Sequence, residues 1–273
     1  MELFPRLFLV VFAQLSVGGF LSLSVSPFHD IERGYFKSSA FIYLLLGTLA
    51  FAGRGALWLR STGAAPGEVA ELGLWTIFVV LGAGYSWTLW GERVWLRARL
   101  FTGTWMVGLI ALMVAGISHR PSASLAETIV YPATVVAAAF PLGAVSAGML
   151  LGHWYLIDRS LSLAPFRRIL TYYGACLSAQ ALVVASGSLA LALAGSAPTA
   201  EGFQRLADGH IPLLAARLAV SPLGSGILGV MIWRTLRIPQ TMAATGLFYI
   251  AILAVLVGEF MGRFLLFRTG LPL

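Results

Sequence analysis

Eight long apolar stretches follow one another along this chain, and no other feature limits its fold so tightly. They run roughly Pro5–Ser26, Ser39–Leu59, Ala70–Trp90, Leu100–Ser118, Thr128–Ile157, Ile169–Gly195, Pro212–Trp233 and Ala243–Phe267. A helix needs about 20 apolar residues to cross roughly 30 Å of hydrocarbon, and each stretch is of that order. A closed β-barrel is the other way to satisfy backbone groups in lipid. It would show short strands of alternating polarity, whereas these runs are long and continuously apolar. The expected fold class is therefore all-α integral membrane, a bundle of about eight transmembrane helices. Of the 273 residues, 59% are hydrophobic and 11% charged, which leaves no room for a separate soluble domain. The whole chain, 1–273, reads as a single transmembrane helical domain.

The links are short and carry helix breakers: Ser26-Pro27, Ala65-Pro66-Gly67, Arg120-Pro121, Ala164-Pro165, Ala197-Pro198 and Ile238-Pro239. The longest, near 27–38 and 196–211, have space for a short surface helix. Pro141 and Pro222 fall inside the fifth and seventh stretches, where each removes a helix hydrogen bond and is expected to bend its helix. The first stretch is longer than a signal-peptide core and is expected to stay as a helix. Small residues recur at helix-packing spacing, as at Gly143 and Ala147, and no internal repeat is evident.

Basic residues divide unequally between the two sides. The face reached after the first helix carries Arg33, Lys37, Arg93, Arg97, Arg99, Arg159, Arg167, Arg168, Arg234 and Arg237, ten of the eighteen. The loops of the other face carry Arg6, Arg60, Arg120, Arg205 and Arg268. That bias sets the first face in the cytoplasm and both termini outside, in a cell inner (cytoplasmic) membrane. The net charge of +7 is thus spent on topology, and no nucleic-acid partner is expected, because no contiguous basic face forms.

Ionisable groups inside helices are costly in lipid, so each raises a functional hypothesis. Arg54, Arg217, Glu259 and Arg263 all fall within roughly the outer third of the bilayer, at 1.5 Å of rise per residue. Glu259 and Arg263 are spaced i, i+4 and can pair. Gly258 opens space beside Glu259, Gly53 and Gly55 flank Arg54, Trp58 lies a turn further outward, and Gln14 offers a polar group on the first helix. A plain alternative is a snorkelling arginine neutralised by its neighbour. For Gln14 the plain alternative is an interhelical hydrogen bond.

A quinol that gives up two electrons must lose two protons, so it needs an apolar slot, a proton acceptor near the surface and donors at the ring oxygens. Glu259 is the candidate proton acceptor, with Arg263 and Arg54 as orienting groups. Gln14, Trp58, Arg217 and Gly258 are candidate quinone-binding residues, the quinone being menaquinone or ubiquinone. No intrinsic haem or iron–sulfur cluster is expected: Cys176 is the lone cysteine, and of the histidines only His153 stands at helix depth. His153, with Trp154 and Tyr155, is an interfacial belt element or, more sharply, part of a second quinone site at the inner face. Two competing readings use the same residues: a small-solute or ion transporter, and a structural membrane anchor without a ligand.

Two stretches carry a family resemblance. Phe12-Ala-Gln-Leu-Ser-Val-Gly-Gly-Phe20 and Val257-Gly-Glu-Phe-Met-Gly-Arg-Phe264 resemble the membrane anchors of dimethyl sulfoxide reductase-type enzymes, within the wider polysulfide reductase membrane-subunit group. The resemblance implies a quinol-oxidising subunit docked to an iron–sulfur or cytochrome subunit and a catalytic subunit on the outer face. It adds weight to Gln14, Glu259 and Arg263. That family usually has a His-Leu-Gly-x-Pro-like stretch after its second helix; here the region reads Gly53-Arg-Gly-Ala-Leu-Trp-Leu-Arg60-Ser-Thr-Gly-Ala-Ala-Pro66, with no such histidine.

Overall fold

A computed structural model describes residues 3–60, 66–158, 160–238 and 240–273. Ala65, Arg159 and Pro239, used above as link or topology markers, lie outside the described residues, as do Met1, Glu2 and 61–64. The described residues form helices and no strands: α1 (Leu3–Ser22), α2 (Arg33–Arg60), α3 (Pro66–Thr88), α4 (Val94–Ser118), α5 (Leu125–Ile157), α6 (Ala164–Ala194), α7 (Ala197–Gly209), α8 (Ile211–Leu218), a π-helical turn (Ala219–Gly224), α9 (Ser225–Arg237) and α10 (Thr241–Thr269). Eight spans among them are long and apolar enough to cross a membrane, with α8, the π turn and α9 counting together as the seventh. Their number, length and apolarity suit a multi-pass helical membrane protein.

Several helices outrun their apolar stretches by a turn or more, as α2, α3, α4 and α6 do at their starts, whereas α1 stops at Ser22, a turn short of Ser26. α2 begins at Arg33 rather than Ser39, because Lys37 and Arg33 continue the helix beyond the part that hydrocarbon would cover. The 27–38 link therefore holds turns and not a surface helix, whereas the 196–211 link does hold one, α7. The first turn of α5 is capped by Ser124, whose hydroxyl accepts from Glu127 N–H. α5 runs on through Pro132 and Pro141 without a break, while Pro222 falls in the π turn.

α5 is the axis of the bundle, packed against α1, α2, α4, α6 and α10. Its buried face is built from Ala137, Ala138, Ala139, Gly143, Ala144, Ala147 and Gly148, which lets neighbouring backbones come close. The approach is tightest to α1. A methyl group on Gly18 would collide with the Ala139 carbonyl, and one on Gly143 would collide with Gly18 backbone. Gln14 reinforces that seam by donating to Val135 O at 2.7 Å, so it is an interhelical tie. Beside it, Ser16 donates to Tyr43 O at 2.6 Å, and Tyr43 shares a hydrogen bond with Ser146 at 3.0 Å.

The start of α1 and the end of α10 lie at one end of the bundle, where Phe8 packs on Phe260 at 4.7 Å between ring centres. We call this the terminal end. There Gly270, at φ 83° in the left-handed region, closes α10, and its carbonyl accepts from Tyr131 at 2.5 Å. Glu127, wholly buried, ties the same end together. It accepts from Ser122 Oγ, Ser196 Oγ and Thr199 Oγ1, each at 2.5 Å, and from Ser196 N–H at 3.0 Å. At the opposite end Arg33 grips Glu92 with two bonds of 2.8 Å, and Arg97 closes the α3–α4 turn through Gly91 O at 2.6 Å. The exposed Glu92 carboxyl is held below its usual range by that hydrogen-bonded guanidinium.

Candidate functional site

Most of the residues singled out from the sequence gather at the terminal end in two groups, Gln14 and His153 excepted. The first is a buried ion cluster on α10. Glu259 is 0% exposed, Arg263 2% and Arg217 4%. The i, i+4 spacing on α10 sets Arg263 Nη2 at 3.4 Å from Glu259, and Arg217 reaches across from α8 to 3.8 Å. Gln180, on α6, donates its amide N–H to the same carboxylate. Gly258 and Gly262 make this possible, since a methyl group at Gly258 would strike Ser221 of the π turn and one at Gly262 would strike Arg217. The cluster holds two guanidinium groups against one carboxylate. Arg217 Nε and Arg263 Nε and Nη1 have no acceptor among the described residues.

The second group is a cleft of about 400 Å³ at the end of the α1–α4 bundle. Arg6 and Val10 of α1, Arg54 and Trp58 of α2, Glu68 and Glu71 of α3, His119 at the end of α4 and Phe267 of α10 line it. Arg54 is ion-paired with Glu71, which also accepts from Trp75 Nε1 at 3.4 Å. His119 follows the last turn of α4, where its Nδ1 lies 2.6 Å from Ala115 O. A carbonyl can only accept, so Nδ1 carries the hydrogen and Nε2 keeps a lone pair. Burial pushes the His119 pKa below its usual 6.5; the hydrogen bond to Ala115 O opposes this, and the nearby cations Arg54, Arg263 and Arg6 add to the lowering. The lowered pKa favours the neutral imidazole. Its ring meets Phe267 edge-on, 5.4 Å between centres.

The predicted set is thus divided. Arg54 and Trp58 line the α1–α4 cleft, and Arg54 pairs with Glu71 rather than standing beside Glu259. Glu259, Arg263 and Gly258 form a sealed cluster that Arg217 joins to a second cleft. Gln14 belongs to the α1–α5 seam, away from both. His153 lies exposed toward the opposite end, with Tyr249 Oη 3.5 Å from its Nδ1. Among the described residues no three His, Cys, Asp or Glu side chains converge as metal ligands would.

Three site residues escaped the sequence reading. Glu71 is second in the Ala70–Trp90 stretch and His119 directly follows Leu100–Ser118, so neither interrupts an apolar run as a charge at mid-helix does. Gln180 is a single polar side chain in an apolar helix, and that break in pattern was the available signal.

No protein-family model matches the chain, and neither a curated protein nor a solved structure proved similar to it.

Proposed function

We propose that this chain is the quinol-oxidising membrane subunit of a respiratory oxidoreductase in the cytoplasmic membrane, with the α1–α4 cleft as its quinol site. One observation carries the reading: the His119 imidazole, with its Nδ1 against Ala115 O at the end of α4, and the arginine-paired carboxylate of Glu71 on α3 line one partly apolar cleft. A quinol presents two hydroxyl groups and must release both protons. His119 Nε2 accepts one and Glu71 the other. Arg54 pairs with Glu71 and stabilises negative charge on the ring oxygen as the proton leaves. Trp58 and Phe267 supply aromatic walls for the ring.

The two electrons pass to an external partner, an iron–sulfur or cytochrome subunit that serves a catalytic subunit. The resemblance of the first and last helices to dimethyl sulfoxide reductase-type anchors supports that assignment. The ten-to-five division of loop Arg and Lys supports an outward-facing terminal end, so the protons leave on the outer side. Glu259 is sealed from the cleft and is not the acceptor in this scheme.

The test is to purify the chain with its co-purifying subunits, identify extracted quinone, and compare His119→Gln and Glu71→Gln with wild type. Each is expected to lower quinol oxidation by about 100-fold or more with the complex intact. Unchanged turnover in both assembled variants would overturn the proposal. A transporter reading draws on the π turn beside Arg217, since broken helices often line transport paths; that reading predicts substrate flux without bound quinone.

A further inference from the structure

A second cleft, of about 350 Å³, opens between α6, α7, α8 and the π turn. Its walls are mostly apolar, with Leu177, Val184, Leu206, Leu214 and Pro222 among them. Arg217 is the one charged side chain that lines it. This guanidinium is poorly satisfied where it stands. Its contact with Glu259 is a long 3.8 Å, and its Nε–H has no acceptor among the described residues. Glu259 is turned instead to Gln180 and Arg263 and is closed to any ligand.

The two clefts offer different chemistry. The α1–α4 cleft holds proton acceptors, His119 Nε2 and Glu71, beside the cations Arg6 and Arg54, which suits a molecule that gives up hydroxyl protons. The α6–α8 cleft holds a cationic donor and no free carboxylate, which suits a molecule with acceptor oxygens and no hydrogen to give. Depth narrows the choice further. Arg217 is six residues into α8 and Glu259 ten residues before the end of α10, about 9 and 15 Å along their axes. A lipid phosphate brought that far would lose its hydration, whereas an uncharged carbonyl on an apolar ring loses little.

We propose that the α6–α8 cleft binds a second quinone, in its oxidised form, with a ring carbonyl accepting from Arg217 and the tail lying along α6. The inference rests on the quinol reading above and extends it: quinol is taken up where proton acceptors line the cleft, and quinone is held where a guanidinium lines one without a proton acceptor beside it.

The probe is 2,3-dimethyl-1,4-naphthoquinone, oxidised or chemically reduced, titrated into the purified complex, with the bound amount counted after extraction. Ala181 lines the cleft and is exposed to it, so Ala181→Phe fills the space without entering the packed interior. Val184→Trp is an independent second filler. Wild type is expected to bind one more oxidised naphthoquinone per chain than either filled variant, and to bind it at least about tenfold more tightly than the reduced form. His119→Gln should retain that binding event. If both fillers bind as wild type does, or if dioleoyl phosphatidylglycerol at equal concentration displaces the naphthoquinone, the second site is wrong while the first stands. If wild type binds neither form, both proposals fall together.

Discussion

His119 owes its chemistry to the end of α4. It directly follows the apolar run, and its Nδ1–H caps the Ala115 carbonyl, so the imidazole is fixed in one tautomer with its other nitrogen turned to use. A base works only when unprotonated, and this group's pKa lies below 6.5. Quinol oxidation should therefore be flat near neutrality and fall as pH drops through that lowered value, an acid limb that His119→Gln abolishes. A wild-type pH–rate profile with no such limb would remove His119 from the mechanism. Glu259 makes the opposite kind of contribution. Replacing it with Gln leaves two guanidinium groups facing each other in a buried space, and breaking a buried pair in this way costs about 3–5 kcal/mol. The loss should appear as a lower melting temperature and less folded protein. The sequence made Arg54, Glu259 and Arg263 visible because charge is rare in apolar runs. It could not show that Arg54 meets Glu71, because that pairing depends on the rotation of α3 against α2.

At the scale of elements, the α1–α5 seam is the most exacting contact. Gly18 and Gly143 place backbone on backbone, so a larger side chain has no flexible neighbour to displace. Gly143→Leu should destabilise the protein by about 1–3 kcal/mol or prevent its folding, read as detergent-unfolding midpoint or yield. Gly55→Leu is the control, because nothing lies within 4 Å of a methyl group there. The eight spans were legible because length and apolarity alone set them. Their ends were less so, since residues such as Arg33 and Lys37 favour helix without being apolar. The π turn was foreshadowed by Pro222 only as a local deviation, and its partner Gly258 is 36 residues on, beyond the reach of local pattern.

At the scale of the molecule, the two ends differ in what they hold. The terminal end carries the two clefts described above and the Glu127 tie; the other end carries most of the loop arginines and a larger cleft, of about 820 Å³, between α6 and α9. An outward terminal end makes Asp208→Cys on α7 reactive to a membrane-impermeant maleimide in intact cells, while Ser160→Cys stays protected until lysis. Cys176 is buried and should give little background. The reverse labelling would invert the proton-release scheme. Within this frame the spans are unequally covered. In the most apolar part of α5, 78% of residues are buried; for the α8–α9 span the figure is 17%. Lipid chains meet few side chains to grasp on a spine of alanine and glycine, so once α5 emerges during synthesis it should leave lipid for the waiting groove of α1. The later helices then close around it, and α8–α9, last but one to arrive, is left as the limb that faces the bilayer.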